Sequence, residues 1–224
     1  MLDYSHPAAD MMLRPMLILL SVACAVVAAR LGGRVLTPEE RRRVARCRPA
    51  AMAAIAGFVA IELAAPGPAL PTALVTGLLS ALAAIDLSAR RLPDILTLPL
   101  LLVAAAFSPA DATSSLGGMV FAAGLLAGVS VLFRRIRGYD GLGFGDVKMA
   151  AGCGAWLGVQ GVGPLLLVSA LAALAAVATR RAFVPAAGPA APGIEPELLA
   201  IPFGPFLALA TIIVAASQAQ GLLP

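Results

Sequence analysis

The chain has 224 residues, of which 60% are hydrophobic and only 12% charged. Soluble domains carry about 25% charged residues, so this composition sets aside a water-soluble globular enzyme and predicts a polytopic, all-α membrane protein. The net charge of +4 comes from 15 Arg and one Lys against 12 acidic residues. In such a chain it reads as a topology signal, with no nucleic-acid partner expected. Cys24, Cys47 and Cys153 are far apart and odd in number, which offers neither a disulfide framework nor a CxxC metal site.

A membrane span needs about 20 apolar residues, somewhat fewer when its ends snorkel. Eight stretches qualify in chain order: 14–32, 50–65, 69–86, 94–109, 116–133, 145–159, 162–179 and 200–218. The first lacks a convincing cleavage site and is read as a span, not a removable signal peptide. Pro66, Pro68 and Pro71 separate the second and third. The segment TPEERRRVARCRP between the first two spans is basic, and Thr37 with Glu39 and Glu40 could cap a short helix there. The Pro- and Ala-rich segment 180–199 predicts a flexible loop.

Basic residues fall in alternate loops. Arg30 at the end of span one and Arg34, Arg41, Arg42, Arg43, Arg46 and Arg48 after it lie before span two. Arg90 and Arg91 follow span three, Arg134, Arg135 and Arg137 follow span five, and Arg180 and Arg181 follow span seven. The loops near 66–69, 109–116 and 159–162 contain none, and only Arg14 breaks the pattern. The positive-inside rule then places the four basic loops in the cytoplasm and both termini outside.

That topology brings two carboxylates to one face. Asp86 ends span three, after ALVTGLLSALAAI, and Asp146 begins span six, after GLGFG. An ionised acid at a helix centre costs roughly 2.5–3.5 kcal/mol on insertion scales, so acids against hydrocarbon are functional candidates by default. Two carboxylates about 3 Å apart cannot both ionise and share one proton. The ionised member can take a proton from water while the protonated member donates to a scissile carbonyl. The pair titrates as a unit, so neither role is assigned to one residue. Gly143 and Gly145 are expected to allow close backbone approach and unusual dihedrals beside Asp146, with an extended substrate laid along that backbone.

Simpler roles are available for each polar residue. Asp86 could snorkel to water beside Arg90 or Arg91, and Asp146 could cap its helix. Asp94 reads as the cap of span four and is the second choice for the first aspartate. Lys148 could hold a carboxylate or substrate, or snorkel. Glu62 is expected at interfacial water, Asp111 and Asp140 in solvated loops, His6 in the amino-terminal tail, and Trp156 as an interfacial anchor. Cys24 and Cys153 read as apolar packing residues.

GFGD at 143–146, inside YDGLGFGDVKMAAGCGAWLG, resembles the GxGD signature of intramembrane aspartyl proteases. AAIDLSARRLPDILTLPLL at 83–101 resembles the first-aspartate region of prepilin peptidases (type IV leader peptidases), and IPFGPFLALA at 201–210 resembles their carboxy-terminal motif. GxGD alone is weak in a Gly-rich chain; the three blocks in family order make the match specific. The resemblance implies a multi-pass protein of the bacterial inner membrane, with 1–49 a span and basic loop and 50–224 the protease domain. It implies cleavage of the short basic leader of type IV prepilins or pseudopilins, on the cytoplasmic side, by Asp86 and Asp146. Gly143, Gly145, Lys148, Pro202, Gly204 and Pro205 would support the pair or bind substrate, with no metal and no cofactor. The family's long form carries two CxxC pairs near its amino terminus, associated with zinc and amino-methylation. The corresponding loop here has the single Cys47, which argues against both. Ser88 stands where long forms often have a further carboxylate. A small proton- or cation-coupled transporter and an inactive assembly scaffold are the alternatives. The first would need polar groups deep in the bilayer and repeat symmetry, which the chain does not display.

Overall fold

The computed structural model describes residues 69–138, 142–183 and 202–223. All regular structure among them is helical: α1 (Ala69–Ala89), α2 (Asp94–Phe107), α3 (Ala112–Arg137), α4 (Phe144–Phe183) and α5 (Gly204–Ala219). Two of these, over Ala112–Arg137 and Phe144–Thr179, are long and apolar enough to cross a membrane; Pro71–Leu87, α2 and α5 are shorter apolar helices. Spans three, four, five and eight each correspond to one helix. Spans one and two, with Cys24, Cys47, Glu62, His6 and the first basic loop, lie outside the described residues, as do Asp140 and most of 180–199.

Prolines and caps set the boundaries. Pro93 forces the residue before it out of the helical region and itself stands in extended backbone as the N-cap of α2. Asp94 is therefore the first helical residue, not the cap expected of it, and no side chain caps α2. Asp111, expected to be merely solvated, is the N-cap of α3: its Oδ2 accepts from the Ser114 amide at 3.0 Å. α3 ends at Gly138, whose φ of 79° lets its N–H close onto the Arg134 carbonyl. Arg134, Arg135 and Arg137 in its last turn face the negative end of the helix dipole.

The loop expected near 159–162 is not there. Spans six and seven are two helical arms of α4 that meet at a kink at the single residue Gly158 (φ 72°, ψ 172°). That conformation is open to glycine alone, so one residue interrupts the helix where a loop was expected. α4 also extends to Phe183, so Arg180 and Arg181 belong to a helix and not to the loop predicted from 180 onward.

The core lies between the helices, around Leu79, Leu82, Leu100, Met149, Leu165 and Leu207. α4 packs against α2, α3 and α5, and α1 packs against α2 and α5. Glycines bring α3 and α4 into backbone contact: a Cβ on Gly154 would stand 2.7 Å from the Ala122 Cβ. Cys153 is buried, as expected of a packing residue. Trp156 is only 4% exposed, so it fills the core and is not the interfacial anchor predicted; it lies on the inward face of α4. The outer face of α3 exposes Leu116, Val120, Phe121, Val129, Leu132 and Ile136, a surface suited to hydrocarbon.

Candidate active site

Asp86 sits in the last turn of α1, after a run of apolar residues that packs into the core. It is 5% exposed, so its carboxylate needs a partner. The partner comes from 118 residues away: the Gly204 amide donates to Asp86 Oδ2 at 2.8 Å. Gly204 opens α5, a helix whose N-cap Phe203 offers no side-chain cap. The amides at a helix N-terminus favour an anion, so Asp86 caps α5 from another helix while α5 fixes one oxygen of Asp86. Any larger residue would displace the carboxylate or the helix start, because a Cβ on residue 204 would lie 2.8 Å from Asp86 Oδ2 and 3.2 Å from Asp86 Cβ.

Asp146 occupies the first turn of α4. Its Oδ2 accepts from the Gly143 amide at 3.2 Å, and its own amide donates to the Gly143 carbonyl at 3.1 Å. The side-chain bond is one half of a capping box, with the Gly143 backbone carbonyl taking the place of the missing cap side chain, so Asp146 does cap its helix start and its carboxylate is fixed by doing so. Gly143 and Gly145 do not have the unusual dihedrals expected of them; neither has a positive φ. Their smallness matters instead. A Cβ on Gly143 would stand 3.2 Å from Asp146 Oδ2, and one on Gly145 would stand 2.8 Å from the Leu92 Cβ. The start of α4 is thereby seated against the turn that follows Asp86.

Asp86 and Asp146, 60 residues apart in sequence, line one open cavity of about 320 Å³ with Arg90, Arg91, Leu92, Pro93, Gly143 and Gly145. Lys148, Pro202, Gly204 and Pro205 are not among the lining residues. Lys148 holds a carboxylate, but that of Asp94: Nζ lies 2.6 Å from Asp94 Oδ1 and 5.0 Å from the Phe144 ring centroid. The pair ties the first turn of α2 to that of α4 at the cavity's edge. Gly204 acts behind the cavity, through Asp86. Pro205 stands in the first turn of α5, where its fixed φ suits a helix start. Among the described residues no three His, Cys, Asp or Glu side chains gather as a metal site.

Sequence reasoning used Arg90 and Arg91 for orientation and as possible neighbours of a snorkelling Asp86, not as cavity lining, and passed over Leu92 and Pro93. The available signal was spacing. Arg90 follows Asp86 by four residues, one helical turn, and its amide donates to the Asp86 carbonyl at 2.9 Å.

A family model described as the type IV leader peptidase family matches residues 73–178, which include both aspartates. A prepilin leader peptidase/N-methyltransferase of Aeromonas hydrophila is 39% identical over 165 residues, covering 68% of this chain and 51% of that protein. One of Burkholderia pseudomallei (strain 1026b) is 36% identical over 150 residues, 63% of this chain and 44% of that protein. One of Dickeya chrysanthemi is 42% identical over 118 residues, 50% of this chain and 41% of that protein. The chain thus spans about half the length, or less, of these curated relatives. No solved structure matches it.

Proposed function

From the premise that this chain belongs, through residues 73–178, to the type IV leader peptidase family, we propose that it is a membrane aspartic endopeptidase. Its substrates are type IV prepilins or pseudopilins, cleaved between the basic leader and the hydrophobic stem at the cytoplasmic face of the inner membrane. The observation that carries this reading is the meeting of Asp86 and Asp146 at one cavity.

The chemistry follows from two carboxylates holding one proton. The ionised carboxylate takes a proton from a water whose oxygen bonds to the scissile carbonyl carbon. The protonated carboxyl donates its proton to the carbonyl oxygen. The tetrahedral intermediate then collapses: the C–N bond breaks, one carboxyl gives its proton to the amine nitrogen, the other carboxylate takes the proton of a diol hydroxyl as the carbonyl re-forms, and the pair again holds one proton. The fixed Asp86–Gly204 and Asp146–Gly143 bonds each occupy one carboxylate oxygen. The remaining oxygen of each is then available for water and peptide. Gly143 and Gly145, on the cavity wall, leave room for an extended peptide against the backbone.

The test is cleavage of a purified prepilin by the protein in detergent, with and without chelator. Wild type is expected to cleave in both conditions. Asp86→Asn and Asp146→Asn should each lower the rate by at least about 1,000-fold, consistent with the loss of a reacting group, while inserting normally. Retained cleavage in either variant would remove that residue from the dyad. A folded wild type that cleaves no prepilin would favour the transporter or scaffold readings.

A further inference from the structure

Arg90 is the one non-glycine with positive φ (52°) among the described residues. It stands immediately after α1 and lines the cavity that holds both aspartates. The left-handed region opposes any side chain with a Cβ, and glycine is the usual solution at a helix end. α3 in this same chain ends on such a glycine, Gly138. α1 ends on an arginine in the corresponding conformation. Non-glycine residues held this way gather at functional sites when the side chain itself is needed.

The surroundings say what the side chain supplies. Asp86 and Asp146 are the two acids at the cavity. Lys148 is committed to Asp94, and α5 presents Asp86 with an amide and no charge. The cations that line the cavity are Arg90 and Arg91, and the field of Arg90 reaches the Asp86 carboxylate. A water-activating dyad must keep one carboxylate ionised while sheltered from bulk water, and a fixed neighbouring cation offsets the lost hydration.

We propose that Arg90 is a positioning residue of the dyad, held in a strained helix-end conformation so that its guanidinium charge stays beside Asp86 in the cavity. This inference rests on the two-aspartate reading above.

Two substitutions separate charge from backbone. Arg90→Gly relieves the strain and removes the charge; Arg90→Lys keeps both. In the full chain, purified in detergent and assayed on a prepilin, Arg90→Gly should unfold about 2–4 °C higher than wild type, the shift expected when left-handed strain is relieved in a chain of this size. Its kcat should fall about tenfold, with KM changed little, as loss of a partly solvated charge predicts. Arg90→Lys should stay within about threefold of wild type in kcat. Wild-type kcat in Arg90→Gly, or equal losses in Arg90→Gly and Arg90→Lys, would overturn the charge role. A lower unfolding temperature in Arg90→Gly would overturn the strain that motivates it. Those results would leave the dyad standing, whereas cleavage surviving Asp86→Asn or Asp146→Asn would remove the dyad and this inference together.

Discussion

At the scale of single residues, the smallest side chain in the carboxy-terminal block bears most directly on Asp86. The Gly204 amide holds Asp86 Oδ2 at 2.8 Å, and the position where a Cβ would stand is equally close to that oxygen. Adding one methyl must therefore move the carboxylate, the start of α5, or both. A displacement of about 1 Å at reacting groups can lower a rate by about 100-fold. Gly204→Ala is accordingly expected to lose about 100-fold in prepilin cleavage while remaining folded in detergent. Activity within a few fold of wild type would mean that Asp86 needs no fixed bond to α5. Reading the sequence reached the identity of this glycine but not its task. IPFGPFLALA marks residue 204 by resemblance, yet nothing local links it to an acid 118 positions earlier. The Asp94–Lys148 pair was hidden for the same reason, since its members are 54 residues apart. Asp146 was legible because its partner Gly143 is three residues away and capping is a local pattern.

Among the helical elements, α4 carries the second aspartate at one end and a break at Gly158 fourteen residues beyond Phe144. Carbonyls near a helix break are orphaned and need partners from outside the helix. Here they are met by side chains from neighbouring elements. Ser115 Oγ donates to the Ala155 carbonyl at 2.8 Å, Ser108 Oγ to that of Trp156 at 3.1 Å, and Gln218 Nε2 to that of Leu157 at 3.3 Å. The Val159 amide donates to Ser114 Oγ at 3.2 Å. The break is thus a fixed feature shared by α3, α5 and the α2–α3 turn. At Gly158 a Cβ would lie 2.6 Å from Ser114 Oγ, in a backbone region only glycine occupies readily. Gly158→Ala should destabilise the protein by about 1–3 kcal/mol, seen as a lower thermal midpoint in detergent. Cleavage by the fraction still folded at low temperature should stay within about threefold of wild type, because the cavity is lined from the other end of α4. Loss of cleavage without loss of stability would contradict this separation. The apolar runs made the helices legible, but this break was not. A pattern such as WLGVQGVGP signals an interruption without fixing whether one residue or several form it.

For the molecule as a whole, charge and chemistry share one end. The cavity lies where α1 ends and α4 begins, and Arg90, Arg91, Arg134, Arg135 and Arg137 all belong to the turns and helix ends on that side. Ser130 Oγ near the end of α3 donates to the Leu142 carbonyl, whereas Ser115 near its start donates to that of Ala155, so α3 and this part of α4 run antiparallel. The α2–α3 turn at 108–111 therefore lies at the opposite end and carries no Lys or Arg. The alternation read from the sequence thus agrees with the arrangement of α1, α2, α3 and the first part of α4. It follows from hydropathy and charge, which are local quantities, and needs no knowledge of packing. Positive charge is retained on the cytoplasmic side of membranes, so the cavity should open there. α3 permits a direct test. Thr113 and Arg135 are exposed near its two ends, separated by about 33 Å of helix, more than the ~30 Å of a hydrocarbon core. With Cys24, Cys47 and Cys153 replaced by alanine, Thr113→Cys should react with a membrane-impermeant maleimide added outside spheroplasts, and Arg135→Cys should react only in inverted vesicles. The reverse pattern would put the dyad on the outer face, out of reach of a leader peptide still in the cytoplasm.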